Sequence, residues 1–208
     1  MKPSLLLLLL FLAIPARLGA QDDAFYGRKI ALLCEELHQK NLKYLWASDD
    51  PAKGGLDCSG VVRHIFREVY GVDLPDESGL QYEYLKKHGQ VWDARSKNWS
   101  PLKLQTGDLI FITGTYKSDR VSPITHVVIY INEEKIFGAQ DMGKRIDYQT
   151  PGVGFFRFKP LHPVGYDGMD ETRIREKPHL YSYGRFIPSA ETVKKQVPNL
   201  NKEQVGSQ

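Results

Sequence analysis

The chain has 208 residues, with 28 Lys+Arg against 25 Asp+Glu, 41% hydrophobic and 25% charged residues, and two cysteines. That apolar fraction supports a real core and excludes wholesale disorder, while so few cysteines exclude a disulfide-stapled scaffold. A formal charge of +3, with no Lys/Arg run longer than two, excludes a nucleic-acid binder that works by neutralising many phosphates.

Residues 1–20 read as a secretory signal: Lys2 in the n-region, an apolar stretch from Leu5 to Ile14 with six consecutive leucines, then Pro15 and a small-residue end at Gly19-Ala20. The apolar run of about ten residues is too short to span a bilayer, which needs about 20. Cleavage there removes Lys2 and Arg17 and brings the net charge to about +1. The expected product is exported, periplasmic or extracellular, with no stable membrane insertion.

Apolar residues Ile30, Leu33, Leu37, Leu42 and Leu45 predict one amphipathic helix or two short ones between Phe25 and Leu45. A loop signal follows at Ser48-Asp49-Asp50-Pro51 and Gly54-Gly55. Val61, Val62, Ile65, Phe66, Val69 and Tyr70 then share one helical stripe that stops at Gly71, with Asp57 as the N-cap. A third helical stretch covers Glu77 to Lys87, and a polar, Trp-bearing linker leads to Leu102. Beyond it the period shortens. Asp108–Thr113, Thr125–Ile131, Lys135–Ala139 and Val153–Phe158 read as strands, with Asn132-Glu133-Glu134 as a tight connection. Lys159 to Pro178 reads as a long excursion, Leu180–Ile187 as a last strand, and 188–208 as a polar tail. Helices first and strands second predict an α+β domain with an antiparallel sheet.

Cys58 has the setting of a nucleophile: small neighbours and a helix N-terminus whose dipole and free N–H groups favour a thiolate and can face an oxyanion. A thiolate needs a base, and His126, heading the run Val127-Val128-Ile129-Tyr130-Ile131, is the best candidate. The other histidines suit bland roles. Zinc lacks any supporting spacing, since there is no H-E-x-x-H, no C-x-x-C and no close His pair. Cys34, among Leu32, Leu33 and Leu37, reads as a packed thiol; a Cys34–Cys58 bridge stays open and would silence the enzyme. Gly107 and Asp108 shape a strand entry, and Trp46, Trp92 and Trp99 read as core residues ahead of groove linings.

Three blocks in order, Leu56-Asp57-Cys58-Ser59-Gly60-Val61-Val62, Leu104-Gln105-Thr106-Gly107-Asp108-Leu109-Ile110-Phe111 and Thr125-His126-Val127-Val128-Ile129-Tyr130-Ile131, resemble the NlpC-type family of papain-like cell-wall cysteine endopeptidases. Leu74-Pro75, Ser78 and Gln81 resemble the segment after that family's Cys helix. The resemblance runs from about Phe25 to Phe158 and implies a papain-like fold with N-terminal helices packed on an antiparallel sheet. Together with the signal pattern and the polar end, the chain is expected to divide into a signal at 1–20, a peptidase domain at 21–187 and a tail at 188–208. The resemblance also implies a cofactor-free enzyme that cuts peptidoglycan stem peptides, typically beside γ-D-glutamyl or diaminopimelyl residues, through a thioester at Cys58 with His126 as base. Backbone N–H groups of Cys58 and Ser59 would form part of an oxyanion hole. Tyr44, in Tyr44-Leu45-Trp46-Ala47-Ser48, would orient substrate or oxyanion, although two glycines of the family's segment are replaced. The family usually places a His, Asn or Gln about twelve residues after the His. Here that position is Gly138, and Gln140, two residues on and on the same strand face, is the candidate orienter, with Asp141 or a backbone carbonyl as substitutes. Two rivals stay open: an amidase or acyltransferase on another γ-glutamyl or isopeptide substrate, and an inactive wall-binding module of the same fold. Oligomeric state is open, with a monomer compatible.

Overall fold

The structure, a computed structural model, describes residues 24–93, 104–158, 179–189 and 192. The signal pattern, Trp99, the 159–178 excursion and most of the tail lie outside the described residues.

Helix α1 covers residues 24–39 and buries Ile30, Cys34 and Leu37 completely. It ends earlier than the apolar spacing predicts, because Asn41 takes a left-handed φ of 50°, a conformation Asn tolerates better than most residues. Leu42 still packs into the core, but the chain then runs extended as β1 (Lys43–Tyr44), parallel to β2 (Gly55–Leu56). Helix α2 (Cys58–Tyr70) follows as expected. Asp57 caps it by accepting from the Gly60 N–H at 2.6 Å, and Gly71 closes it in the left-handed region at φ 66°. Its Val61, Val62, Ile65 and Phe66 are fully buried, and at about 1.5–3 kcal/mol per side chain this burial outweighs the roughly 1 kcal/mol of the cap in holding the helix.

Helix α3 (Ser78–His88) leads directly into β3 (Gly89–Asp93), where the sequence suggested only linker. β3 is an edge strand without alternating burial, so it lacks the period-2 signal. The other strands agree with expectation to within a residue or two: β4 (Leu109–Thr113), β5 (Ile124–Tyr130), β6 (Lys135–Gln140), β7 (Gly152–Arg157) and β8 (His179–Phe186). The sheet order is β3-β8-β4-β5-β6-β7, with antiparallel neighbours throughout.

Side chains alternate between two cores. Leu109, Phe111, Val127, Ile129 and Phe137 join the helical core, whereas Ile110, Ile112, Val128, Tyr130 and Ile136 form a second cluster. Burial on both faces explains why β4 to β6 read as continuous apolar runs. Asp108, 2% exposed, receives Arg185 Nε and Nη2 at 2.7 and 2.8 Å and the Gln105 N–H at 2.8 Å, which ties β8 to the entry of β4. The α+β expectation is met, and Asp108 is structural.

Candidate active site

The β1–β2 pairing places Tyr44 beside Leu56, two residues before Cys58. The turn between these strands folds back on the start of α2: Asp57 N–H donates to the Ser48 carbonyl, and the Ser48 hydroxyl donates to the Gly55 carbonyl. The Ser48 carbonyl lies so close to Gly60 that any Cβ there would overlap it. The glycine of Asp57-Cys58-Ser59-Gly60 is thus a requirement of close approach.

On the other side, Gln81 of α3 is fully buried and donates from Nε2 to the carbonyls of Ser59 and Pro75 at 2.9 and 2.8 Å. The Ser59 hydroxyl lies 2.9 Å from Asp57 Oδ1 and 2.7 Å from the Asp76 carbonyl. What Ser59 can offer an oxyanion is therefore its backbone N–H, because its hydroxyl is committed to the fold.

Cys58 stands where two cavities meet. One, of about 210 Å³, is polar and includes Asp49, Arg63, Glu77, Ser78 and Arg120. The other, of about 180 Å³, includes His126, Gln140, Asp141, Met142 and Thr115. Tyr44, Trp46, Tyr116 and Thr125 border both. His126 and Gln140 therefore come together with Cys58, and Tyr44 flanks the same sulfur.

His126 sits beside a bulge, where the β4–β5 register slips between Ile112 and Thr113; bulges of this kind re-aim a side chain. The β5–β6 ladder pairs Ile129 with Phe137 and Tyr130 with Ile136, and the same register continued sets Val128 opposite Gly138 and His126 opposite Gln140. Gln140 is 4% exposed and neither atom of its amide has a hydrogen-bond partner, so it makes no bond to His126 here.

The site is dry. Burial, then the Asp57 carboxylate, push the Cys58 thiol up to about 12, opposed in part by nearby backbone N–H groups, chiefly that of Val127. Burial holds the His126 imidazole down to about 3. Both shifts favour an uncharged thiol and an uncharged imidazole near neutrality. Burial and the neighbouring Cys58, Asp57 and Asp141 raise the Tyr44 phenol, so it remains an O–H donor. Asp57 is itself raised by burial against four opposing hydrogen bonds, which suits a cap more than a proton carrier.

The remaining candidates have structural surroundings. Cys34 is completely buried, and both cysteines are free thiols. His38 pairs with Asp147 at 3.0 Å, and His88 packs on Tyr84. Trp92 stacks on Tyr183, but Trp46 is 59% exposed at the cleft against Tyr116, which corrects its assignment to the core. The sequence singled out neither Tyr116 nor Arg120, which lie in the β4–β5 loop, although it placed Thr125 at the start of the following strand. The structure binds that loop over the cleft through Thr115–Thr125 hydrogen bonds and the Arg120–Glu77 ion pair. Among the described residues no group of three His, Cys, Asp or Glu could hold a metal ion, and no helix is long and apolar enough to cross a membrane.

The sequence model of the NlpC/P60 family matches residues 41–159, more than half of the chain. This chain belongs to the NlpC/P60 family. It is 32% identical over 123 residues to the bifunctional muramidase/DL-endopeptidase CwlT of Bacillus subtilis, a match covering 59% of this chain and 32% of that one. It is 30% identical over 128 residues to a Listeria innocua protein named "Probable endopeptidase p60", covering 62% of this chain and 23% of that one. The chain thus spans a third or less of these two relatives. A solved Staphylococcus aureus NLP/P60 structure superposes with a TM-score of 0.51 at 20% identity, over 79% of this chain and 42% of that one, which establishes the papain-like fold.

Proposed function

We propose that this NlpC/P60 chain is an exported cysteine endopeptidase that hydrolyses an amide bond in peptidoglycan stem peptides, of the γ-D-glutamyl–diaminopimelate type. The observation that carries the reading is the meeting of Cys58, at the capped N-terminus of α2, with His126 and Gln140 in one cavity. The relatives' names support the endopeptidase class.

Cys58 Sγ attacks the acyl carbon while His126 takes the thiol proton, so charge appears only as the new bond forms. N–H groups of Cys58 and Ser59 and the Tyr44 hydroxyl stabilise the oxyanion. The tetrahedral intermediate collapses to a thioester as His126 returns the proton to the leaving amine, and water, activated by the same imidazole, releases the acid. Gln140 Oε1 accepts from the imidazole N–H once substrate closes the site, which holds the ring's tautomer.

The test is digestion of purified muropeptides, with products identified by mass spectrometry. Fragments that end at the γ-D-glutamyl residue support the reading, and intact stems of every major type refute it.

A further inference from the structure

Resting on the peptidase reading, we propose that Asp141 selects the leaving fragment: its carboxylate binds a free side-chain ammonium on the residue whose amine departs. The two halves of the cleft are unequal. His126 must protonate the departing amine, and it lines only the smaller half, which is therefore the leaving-group side. The larger half, lacking His126, receives the acyl side.

In the leaving-group half no Lys or Arg lines the wall, and Asp141 is the carboxylate that does. It follows Gln140 directly, is exposed to the cavity mouth, and no ion pair engages it among the described residues. The loop that follows it is anchored further along. Buried Arg145 binds the carbonyls of Thr150 and Val153 at 3.0 and 3.1 Å, and His38 grips Asp147 at 3.0 Å, so the loop that begins at Asp141 is fastened to both β7 and α1. A carboxylate at the exposed mouth of this cavity, without an ion-pair partner among the described residues, matches an ammonium at the end of a diamino acid side chain. Acylation of that amine, as in a cross-linked stem, removes the charge, so the enzyme favours uncross-linked substrate.

The experiment uses the full mature chain and synthetic L-Ala-γ-D-Glu-X peptides. X is L-lysine or L-norleucine in one pair, and diaminopimelate or its distal N-acetyl derivative in the other, which separates the two sources of such an ammonium. Wild type should favour the free ammonium in each pair by about tenfold in kcat/KM, mostly through KM, with the preference shrinking at high salt. Asp141→Asn should bring both ratios near one, and Asp141→Lys should invert them. Equal cleavage within each pair by wild type, or ratios unchanged in Asp141→Asn, would overturn the subsite alone. Cleavage of none of the four peptides by wild type would overturn the peptidase reading and this proposal with it.

Discussion

Val128 and Gly138 face each other across β5 and β6, and a Cβ at 138 would lie 2.9 Å from Val128 Cγ1. The position where the resemblance leads one to seek a His, Asn or Gln is thus occupied by a neighbour's side chain. Introducing a side chain by Gly138→His should therefore destabilise the fold by about 1–3 kcal/mol through overpacking. Adding Val128→Gly should recover much of the loss. Urea denaturation of the single and double variants checks this, and additive losses would contradict the account.

Gln140 is the polar group that the continued register sets opposite His126. Gln140→Leu should leave the fold intact, since it replaces a buried amide without partners by an apolar group of similar size. It should lower kcat/KM roughly tenfold or more through loss of imidazole orientation. Gln140→His should retain part of the activity with a displaced pH profile. Full activity in Gln140→Leu would transfer the orienting role elsewhere.

The pH behaviour follows from burial of the two groups. Because Cys58 is raised to about 12 and His126 lowered to about 3, both groups are neutral between these limits. Alkylation of Cys58 by iodoacetamide should be slow near pH 6 and rise by about tenfold per unit in alkaline solution. A rate plateau reached in mild acid would show a preformed thiolate–imidazolium pair instead. The depressed His126 contributes stability that is complete above its unfolded value of about 6.5 and lost as pH falls toward about 3. His126→Asn should flatten that acid limb in a urea titration.

Cys58 rests on a scaffold that can be tested apart from its proposed chemistry. Asp57→Ala removes the cap and should cost about 0.5–2 kcal/mol, while Asp57→Asn, which can still accept from Gly60, should cost less. Gln81→Leu takes the donor from the Ser59 and Pro75 carbonyls and should cost about 1–3 kcal/mol. Gln81→Leu should change Cys58 alkylation only modestly, because the thiol itself is untouched, whereas loss of the Asp57 carboxylate should speed it, because that charge raises the thiol. Thermal melts with alkylation kinetics decide this.

Much of this architecture was legible because its signals are local. The stripe from Val61 to Tyr70, the Asp57 cap and the Gly71 stop define α2 without reference to the rest of the chain. The apolar runs of β4 to β6 reveal strands because both faces are buried. Long-range and edge features were not legible. β3 depends on pairing with β8, about ninety residues away, and the early end of α1 depends on one left-handed residue, Asn41. At the site, Cys58 and His126 stood out by context, but Tyr116 and Arg120 reach the cleft only through the closing of a loop. Gln140 could be inferred from strand alternation, whereas the reason for Gly138 is visible only once Val128 is seen across from it.

The claim at the centre is that Cys58 is the nucleophile. Wild type, Cys58→Ser and Cys58→Ala should be compared on one purified stem peptide by mass spectrometry under identical conditions. A nucleophilic Cys58 requires cleavage by wild type, cleavage reduced by at least about a hundredfold in Cys58→Ser, and none in Cys58→Ala. Cleavage by Cys58→Ala at the wild-type rate would contradict it.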